Sequence, residues 1–221
     1  MREVLERLNK IIADKGTRLC FSADIEDPQK LLMILEKVAK HIAVVKIHFD
    51  TLKFEEREMR EWRFIESINM LKERHNFMVM EDRKLFDISY IIERQWKRFS
   101  EWADLVTVHG FVNEEVIKVL PDVGILLVCN MSNNDYDITE RCRGFWERNE
   151  NVVGFITQNK ERGVCCFTPG ISLNTTVVAD QRYRSLGDIS CKPDVFIVGR
   201  GIYNSTDPEG SAEKFKSSYF E

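Results

Sequence analysis

The segment Glu81-Asp82-Arg83-Lys84-Leu85-Phe86-Asp87 sets ionisable groups of alternating sign directly after the apolar run Phe77 to Met80. Asp82 and Lys84 stand two residues apart, so at a strand end they point to one side. A carboxylate beside an ammonium is costly to bury without a reason, which marks the pair as the centre of an active site. Asp24 ends the apolar run Arg18 to Ala23, and Lys46 lies in the run Ala43 to Ile47. Any one of these residues alone reads as a solvated side chain or a plain ion pair. Successive strand ends would bring them together as an array in which each charge has an opposite partner. Near the C-terminus, Val198-Gly199-Arg200-Gly201 offers uncrowded backbone N–H groups and a guanidinium able to grip a phosphate, which favours a phosphorylated substrate. His48 and Asp50 follow Lys46 closely and His109 ends a later run, but His-x-Asp is a weak metal pattern and both histidines read as hydrogen-bonded structural residues.

The elements that must position these groups alternate along the chain. Apolar runs of β type cover Arg18 to Ala23, Ala43 to Ile47, Phe77 to Met80, Leu105 to Val108, Ile125 to Cys129, Val152 to Ile156, Val164 to Phe167 and Val195 to Val198. Between them, segments such as Asp27 to Lys40, Phe54 to Arg74, Phe86 to Trp102 and Asn134 to Arg148 are charged, with apolar residues at helical spacing. Strands alternating with helices imply a parallel sheet, and eight such units suggest an α/β fold of the (β/α)₈ TIM-barrel type, a single domain over residues 1–221. An open doubly wound sheet is the alternative. In a barrel the chemistry sits at the C-terminal strand ends, where Asp24, Lys46, Asp82 and Lys84 fall, and phosphate sites follow strands seven and eight. The helical stretch before the first strand would cap the barrel's bottom.

Composition narrows the function classes. With 221 residues, 43% hydrophobic and 31% charged, the chain supports one sizeable core. A net charge of −4 and no basic patch argue against nucleic acid as a partner. No apolar run approaches a membrane span. Six cysteines without C-x-x-C spacing suit a reducing, cytoplasmic setting and do not suggest zinc.

Taken together, Leu19-Cys20-Phe21-Ser22-Ala23-Asp24, Lys46-Ile47-His48-Phe49-Asp50, the D-x-K-x-x-D pattern of Asp82, Lys84 and Asp87, Glu101-Trp102-Ala103-Asp104, Thr168-Pro169-Gly170 and Ile197-Val198-Gly199-Arg200-Gly201-Ile202 resemble the orotidine 5′-phosphate decarboxylase family. The resemblance covers nearly the whole chain. It looks like the eukaryotic branch, in which this barrel is sometimes fused to a phosphoribosyltransferase, a domain expected to be absent here. It implies cofactor-independent decarboxylation of orotidine 5′-phosphate to uridine 5′-phosphate, the last step of pyrimidine nucleotide synthesis, with no metal. Asp82 would lie against the substrate carboxylate, Lys84 would protonate C6, Lys46 would hold Asp82 and the ribose, and Asp24 would bind a ribose hydroxyl. Asp87 and Ile88 would reach into the partner subunit's site of a homodimer. Ser132 would contact the pyrimidine, Gln181 would link that loop to the phosphate, Pro169 would lie in the substrate-binding turn after strand seven, and Tyr183, Gly199 and Arg200 would grip the phosphate.

The chain departs from the family pattern in places. Ser89-Tyr90-Ile91 stands where Gly-Asn-Thr is usual, which removes a hydroxyl contact to ribose across the dimer. Asn130-Met131-Ser132-Asn133-Asn134-Asp135 lacks the usual acidic residue and glycine. These changes keep two other readings in view. One is a catalytically impaired, pyrimidine-nucleotide-binding paralogue with a regulatory role; the other is a magnesium-using barrel relative acting on a sugar-phosphate keto acid. Retention of Lys46, Asp82, Lys84 and Asp87 argues against the first, since a binder has little use for a buried charge array. Ser132, Gln181 and Tyr183 argue against the second.

Overall fold

The computed structural model describes residues 2–54, 57–131, 136–173, 176–178 and 181–220. Its strands are β1 (Leu19–Ser22), β2 (Val44–Ile47), β3 (Met78–Leu85), β4 (Leu105–His109), β5 (Gly124–Val128), β6 (Val152–Ile156), β7 (Cys165–Thr168), β8 (Thr176–Val178), β9 (Gln181–Tyr183) and β10 (Val195–Val198). β1 to β7 and β10 pair in parallel and close into a barrel, with β10 bonded to both β7 and β1. β8 and β9 form a separate antiparallel hairpin. The helices are α1 (Arg2–Lys15), α2 (Pro28–Val38), α3 (Arg57–His75), α4 (Ser89–Trp96), α5 (Glu114–Lys118), α6 (Thr139–Arg148), α7 (Arg200–Tyr203) and α8 (Pro208–Ser218). None of the described helices is long and apolar enough to cross a membrane.

Each apolar run read as a strand corresponds to a barrel strand, so the barrel replaces the open-sheet alternative. Apart from one-residue shifts at several strand ends, two features differ from the sequence reading. β3 does not stop at Met80 but continues through Leu85. Charged residues normally end a strand packed on both faces, whereas at a barrel mouth the inward positions face a polar cavity and the ladder can run on. The stretch after β7 contains the β8/β9 hairpin, where a plain loop was expected.

Strand alternation divides the core in two. Inward residues Cys20, Val44, Met78, Met80, Leu105, Leu126, Phe167 and Ile197 fill the barrel, and Leu8, Ile11 and Ile12 of α1 close it from below, as the capping expectation requires. Outward residues such as Phe21, Val45, Val79, Val106, Val108 and Phe196 pack against the helices. Each fully buried aliphatic or aromatic side chain contributes about 1.5–3 kcal/mol relative to exposure. α2 starts sharply because Asp27 accepts from the Gln29 and Lys30 backbone N–H groups and Pro28 supplies a pre-set first turn. Above the apolar interior, β1 to β4 carry Ser22, Lys46, Asp82 and Thr107 at inward positions. The core thus turns polar at one end.

Candidate active site

The register of the barrel places Ser22 beside Lys46 and Lys46 beside Met80, two positions below Asp82. Lys46 Nζ donates to Asp82 Oδ2 at 2.8 Å and to Asp24 Oδ1 at 3.2 Å. Lys84 Nζ lies 2.8 Å from the same Asp82 Oδ2. Asp24 is steadied by Ser22 Oγ, 2.9 Å from its Oδ2. The four side chains predicted to cluster therefore do so, in alternating sign. Lys46 and Asp82 are nearly withdrawn from water, with side chains 8% and 9% exposed, while Lys84 remains 31% exposed at the rim. Removing one member of such a buried pair leaves an uncompensated charge and costs about 3–5 kcal/mol.

Between β3 and β4 the ladder loses its regular count. Glu81 pairs with Val106 and Leu85 with Val108, so three residues, Asp82, Arg83 and Lys84, stand opposite one, Thr107. Lys84 takes a left-handed backbone conformation, φ 50°. For a residue with a Cβ this costs roughly 1–2 kcal/mol, and such strain persists only where neighbours over-determine it. Here Thr107 Oγ1 accepts the Lys84 backbone N–H at 2.8 Å and donates to Asp82 Oδ1 at 2.8 Å.

Burial is the largest influence on the Asp82 carboxyl and would push it up. The facing charges of Lys46, Lys84 and His48 outweigh that and hold it well below the usual carboxylate range. Burial likewise works against the Lys46 ammonium, but Asp82 and Asp24 together raise it. For Asp24, burial is again outweighed, by Lys46 first and then His48, and its carboxyl is held low. His48 goes the other way. Burial and the neighbouring Lys46 ammonium lower it, and its Nε2 lies 3.0 Å from Lys46 Nζ. Glu81, facing outward from β3 and fully buried, is pushed up to about 8 by burial, with the Phe49 backbone N–H as its hydrogen-bond donor. It is a neutral acid at pH 7, in contrast to its ionised neighbour Asp82.

Ser22, Asp24, Lys46, His48, Asp82 and Lys84 line a cavity of about 220 Å³ at the C-terminal end of the barrel. Val128, Ile156 and Ile197 give it an apolar floor. Pro169, Gly170, Tyr183, Gly199 and Arg200 also line it. Gly170 has φ 75°, a conformation that glycine adopts without a Cβ penalty, and so it turns the chain after β7. The Arg200 guanidinium lies 5.4 Å from the Tyr183 ring centre. Fixed ammonium and carboxylate groups, a guanidinium and an apolar lining in one cavity suit a flat, anionic molecule with a phosphate at one end.

Residues 17–215 match the model of the orotidine 5′-phosphate decarboxylase / HUMPS family. The chain belongs to this family. It is 30% identical to the orotidine 5′-phosphate decarboxylase of Pichia kudriavzevii over 245 residues, covering 97% of this chain and 91% of that one. It is also 30% identical to the uridine 5′-monophosphate synthase of Bos taurus, where 99% of this chain matches 49% of the relative, so it spans about half the length of that protein. Among solved structures, the orotidine 5′-monophosphate decarboxylase from Methanocaldococcus jannaschii, complexed with the inhibitor BMP, superposes with a TM-score of 0.71 at 24% identity. It covers 93% of this chain and 99% of its own, and establishes a shared fold.

Of the residues this decarboxylase family led us to expect, Asp24, Lys46, Asp82, Lys84, Pro169, Tyr183, Gly199 and Arg200 line the one cavity. Asp87 and Ile88 do not. Ile88 is 66% exposed, and the Asp87 side chain accepts the Ile88 backbone N–H. Ser132 lies outside the described residues, although Met131 beside it reaches the cavity. Gln181 begins β9, and its side chain lies outside the described part. Three residues of this cluster were given no role in the site by the sequence reading. His48, read as a structural histidine, is hydrogen-bonded, but to the lysine of the site itself. Ser22 and Thr107 were passed over. The signal for both is a hydroxyl at an inward position of an otherwise apolar strand, next to a charged neighbour.

Proposed function

We propose that this chain decarboxylates orotidine 5′-phosphate to uridine 5′-phosphate, the final step of de novo pyrimidine nucleotide synthesis, in the cytoplasm. The observation that carries the reading is the Lys46–Asp82–Lys84 array in a cavity that Arg200 also lines. The names of the relatives and the family membership point to the same reaction. Its difficulty is the electron pair left on C6 when the C6–carboxylate bond breaks and CO₂ departs. An ammonium already fixed by Asp82 needs no reorganisation to meet that charge, and this kind of preorganised electrostatics is a large contributor to catalysis. In this mechanism Lys84 transfers a proton to C6 to give the C–H bond of the product, then regains one from solvent. Asp82 stays ionised, faces the substrate carboxylate and keeps Lys84 aimed. Lys46 and Asp24 hold the ribose hydroxyls, with Arg200, Tyr183 and the Gly199 backbone on the phosphate. Binding energy from that remote phosphate can drive ordering at the reacting end.

The same reading makes the active form a homodimer. Phe86, Ile88, Tyr90 and Phe111 are large apolar residues 48–66% exposed around the mouth of the barrel. A face of this kind marks an interaction surface. Asp87, lying among them and away from its own cavity, is available to a partner's site. For the location, six free cysteines, five buried or partly buried, support a reducing compartment.

The test is the pair of wild type and Lys84→Ala. Wild type consumes orotidine 5′-phosphate, and the variant loses turnover by roughly 10³-fold or more while still binding uridine 5′-phosphate. Near-normal turnover by Lys84→Ala would reject Lys84 as the proton donor.

A further inference from the structure

We propose that Thr107 is a positioning residue for the decarboxylation proposed above: it sets the plane of the Asp82 carboxylate and holds Lys84 in its left-handed conformation, acting through both without touching substrate. The inference rests on the site's assignment to that reaction. Thr107 is fully buried on β4, at the one position facing Asp82, Arg83 and Lys84. A hydroxyl has one proton and two lone pairs. The Lys84 backbone N–H can only donate, so it occupies a lone pair of Oγ1 at 2.8 Å. The single proton of Thr107 is then free for Asp82 Oδ1, also at 2.8 Å.

That directional chain has two effects. With Oδ1 held by Thr107, the other oxygen, Oδ2, is turned to meet Lys46 at 2.8 Å and Lys84 at 2.8 Å, with His48 at 3.3 Å. Without the hydroxyl, the carboxylate can rotate about its terminal torsion, which is broad for Asp. The Lys84 N–H would also lose its acceptor in a place where the β3–β4 ladder offers no carbonyl in register. Both changes move the ammonium relative to the reacting carbon while leaving the phosphate wall untouched. Geometry of this kind is read in kcat, since a misplacement of about 1 Å can cost on the order of 100-fold.

The test compares Thr107→Val, Thr107→Ser and Thr107→Ala for turnover of orotidine 5′-phosphate, with uridine 5′-phosphate affinity and thermal midpoint measured on each. Thr107→Val is expected to lose kcat by about 10- to 100-fold, with KM and product affinity within about threefold, a change too small to be a lost binding contact. Thr107→Ser keeps near-normal kcat although it loses the methyl group and some stability. Should the valine variant fail to fold, Ser and Ala carry the same comparison, because they differ only in the hydroxyl. The role is overturned if Thr107→Val keeps wild-type kcat, or if Ser falls as far as Ala. A wild-type protein without turnover rejects the proposed reaction and this role with it; normal wild-type turnover beside an unaffected valine variant rejects the role alone.

Discussion

Two acidic side chains adjacent in sequence, Glu81 and Asp82, carry opposite protonation states because β3 sends them to opposite faces. Asp82 meets two ammonium groups; Glu81 enters the layer between barrel and helices, where one of its oxygens has no hydrogen-bond partner among the described residues. Its folded value of about 8 lies above the ordinary 4.5, so the folded state binds more protons between those values. Stability from this group is full below pH 4.5 and is lost as pH rises through 8, at up to about 1.4 kcal/mol per pH unit. Glu81→Gln, neutral throughout, should flatten that loss. Thermal midpoints measured from pH 5 to 9 should show the variant gaining on wild type as pH rises, and parallel curves would contradict the assignment. At this scale the sequence disclosed the charged residues and hid the hydroxyls. A charge in an apolar run draws attention because its burial needs a reason, whereas Thr107 and Ser22 are ordinary strand residues until a neighbouring strand supplies their partners.

Elements, rather than single residues, decide where the site's rigidity comes from. Asp104, just before β4, accepts from Val79 N at 2.8 Å and pairs with Arg7 of α1 at 2.8 Å and Lys72 of α3 at 3.3 Å. It fastens two helices to the strands that carry Asp82 and Thr107. Asp104→Ala should destabilise by roughly 2–4 kcal/mol, because it orphans a buried N–H and leaves the largely buried Lys72 ammonium with the Trp102 carbonyl but no carboxylate. Urea unfolding measures this, and kcat at low temperature should stay within about twofold of wild type, since no contact to the cavity is lost. A stability change below about 0.5 kcal/mol, the range of ordinary surface substitutions, would show that Asp104 is not such a tie. The strands were legible from apolar runs; the end of β3 was not. Its last inward positions are charged because they face the cavity, and a reading that equates strand with apolar stops where the site begins. The β8/β9 hairpin escaped for a related reason, since three-residue strands are too short for alternation to show.

At the scale of the whole molecule, the βα rhythm pointed to a parallel sheet, because each apolar run must be covered on both faces and parallel neighbours need helical crossovers; eight units suggested the barrel, and its closure decided against the open-sheet alternative. What one chain cannot specify is the contribution of a second. Asp87 does not line its own cavity and stands beside exposed Phe86 and Ile88, in keeping with the proposal that the site is divided between subunits. Mixing inactive Lys84→Ala and Asp87→Ala chains should restore about a quarter of wild-type activity, since half the dimers formed at random are hybrids and each hybrid assembles one intact site. Absence of recovery in a mixture that exchanges subunits would reject the shared site. The reaction itself is tested most directly by the loss of orotidine 5′-phosphate absorbance when purified wild-type protein is added in buffer containing a metal chelator. Continuous loss, at the same rate with and without chelator and with uridine 5′-phosphate as the product, is the predicted result. No turnover in a protein that still binds uridine 5′-phosphate, or turnover abolished by the chelator, would contradict it.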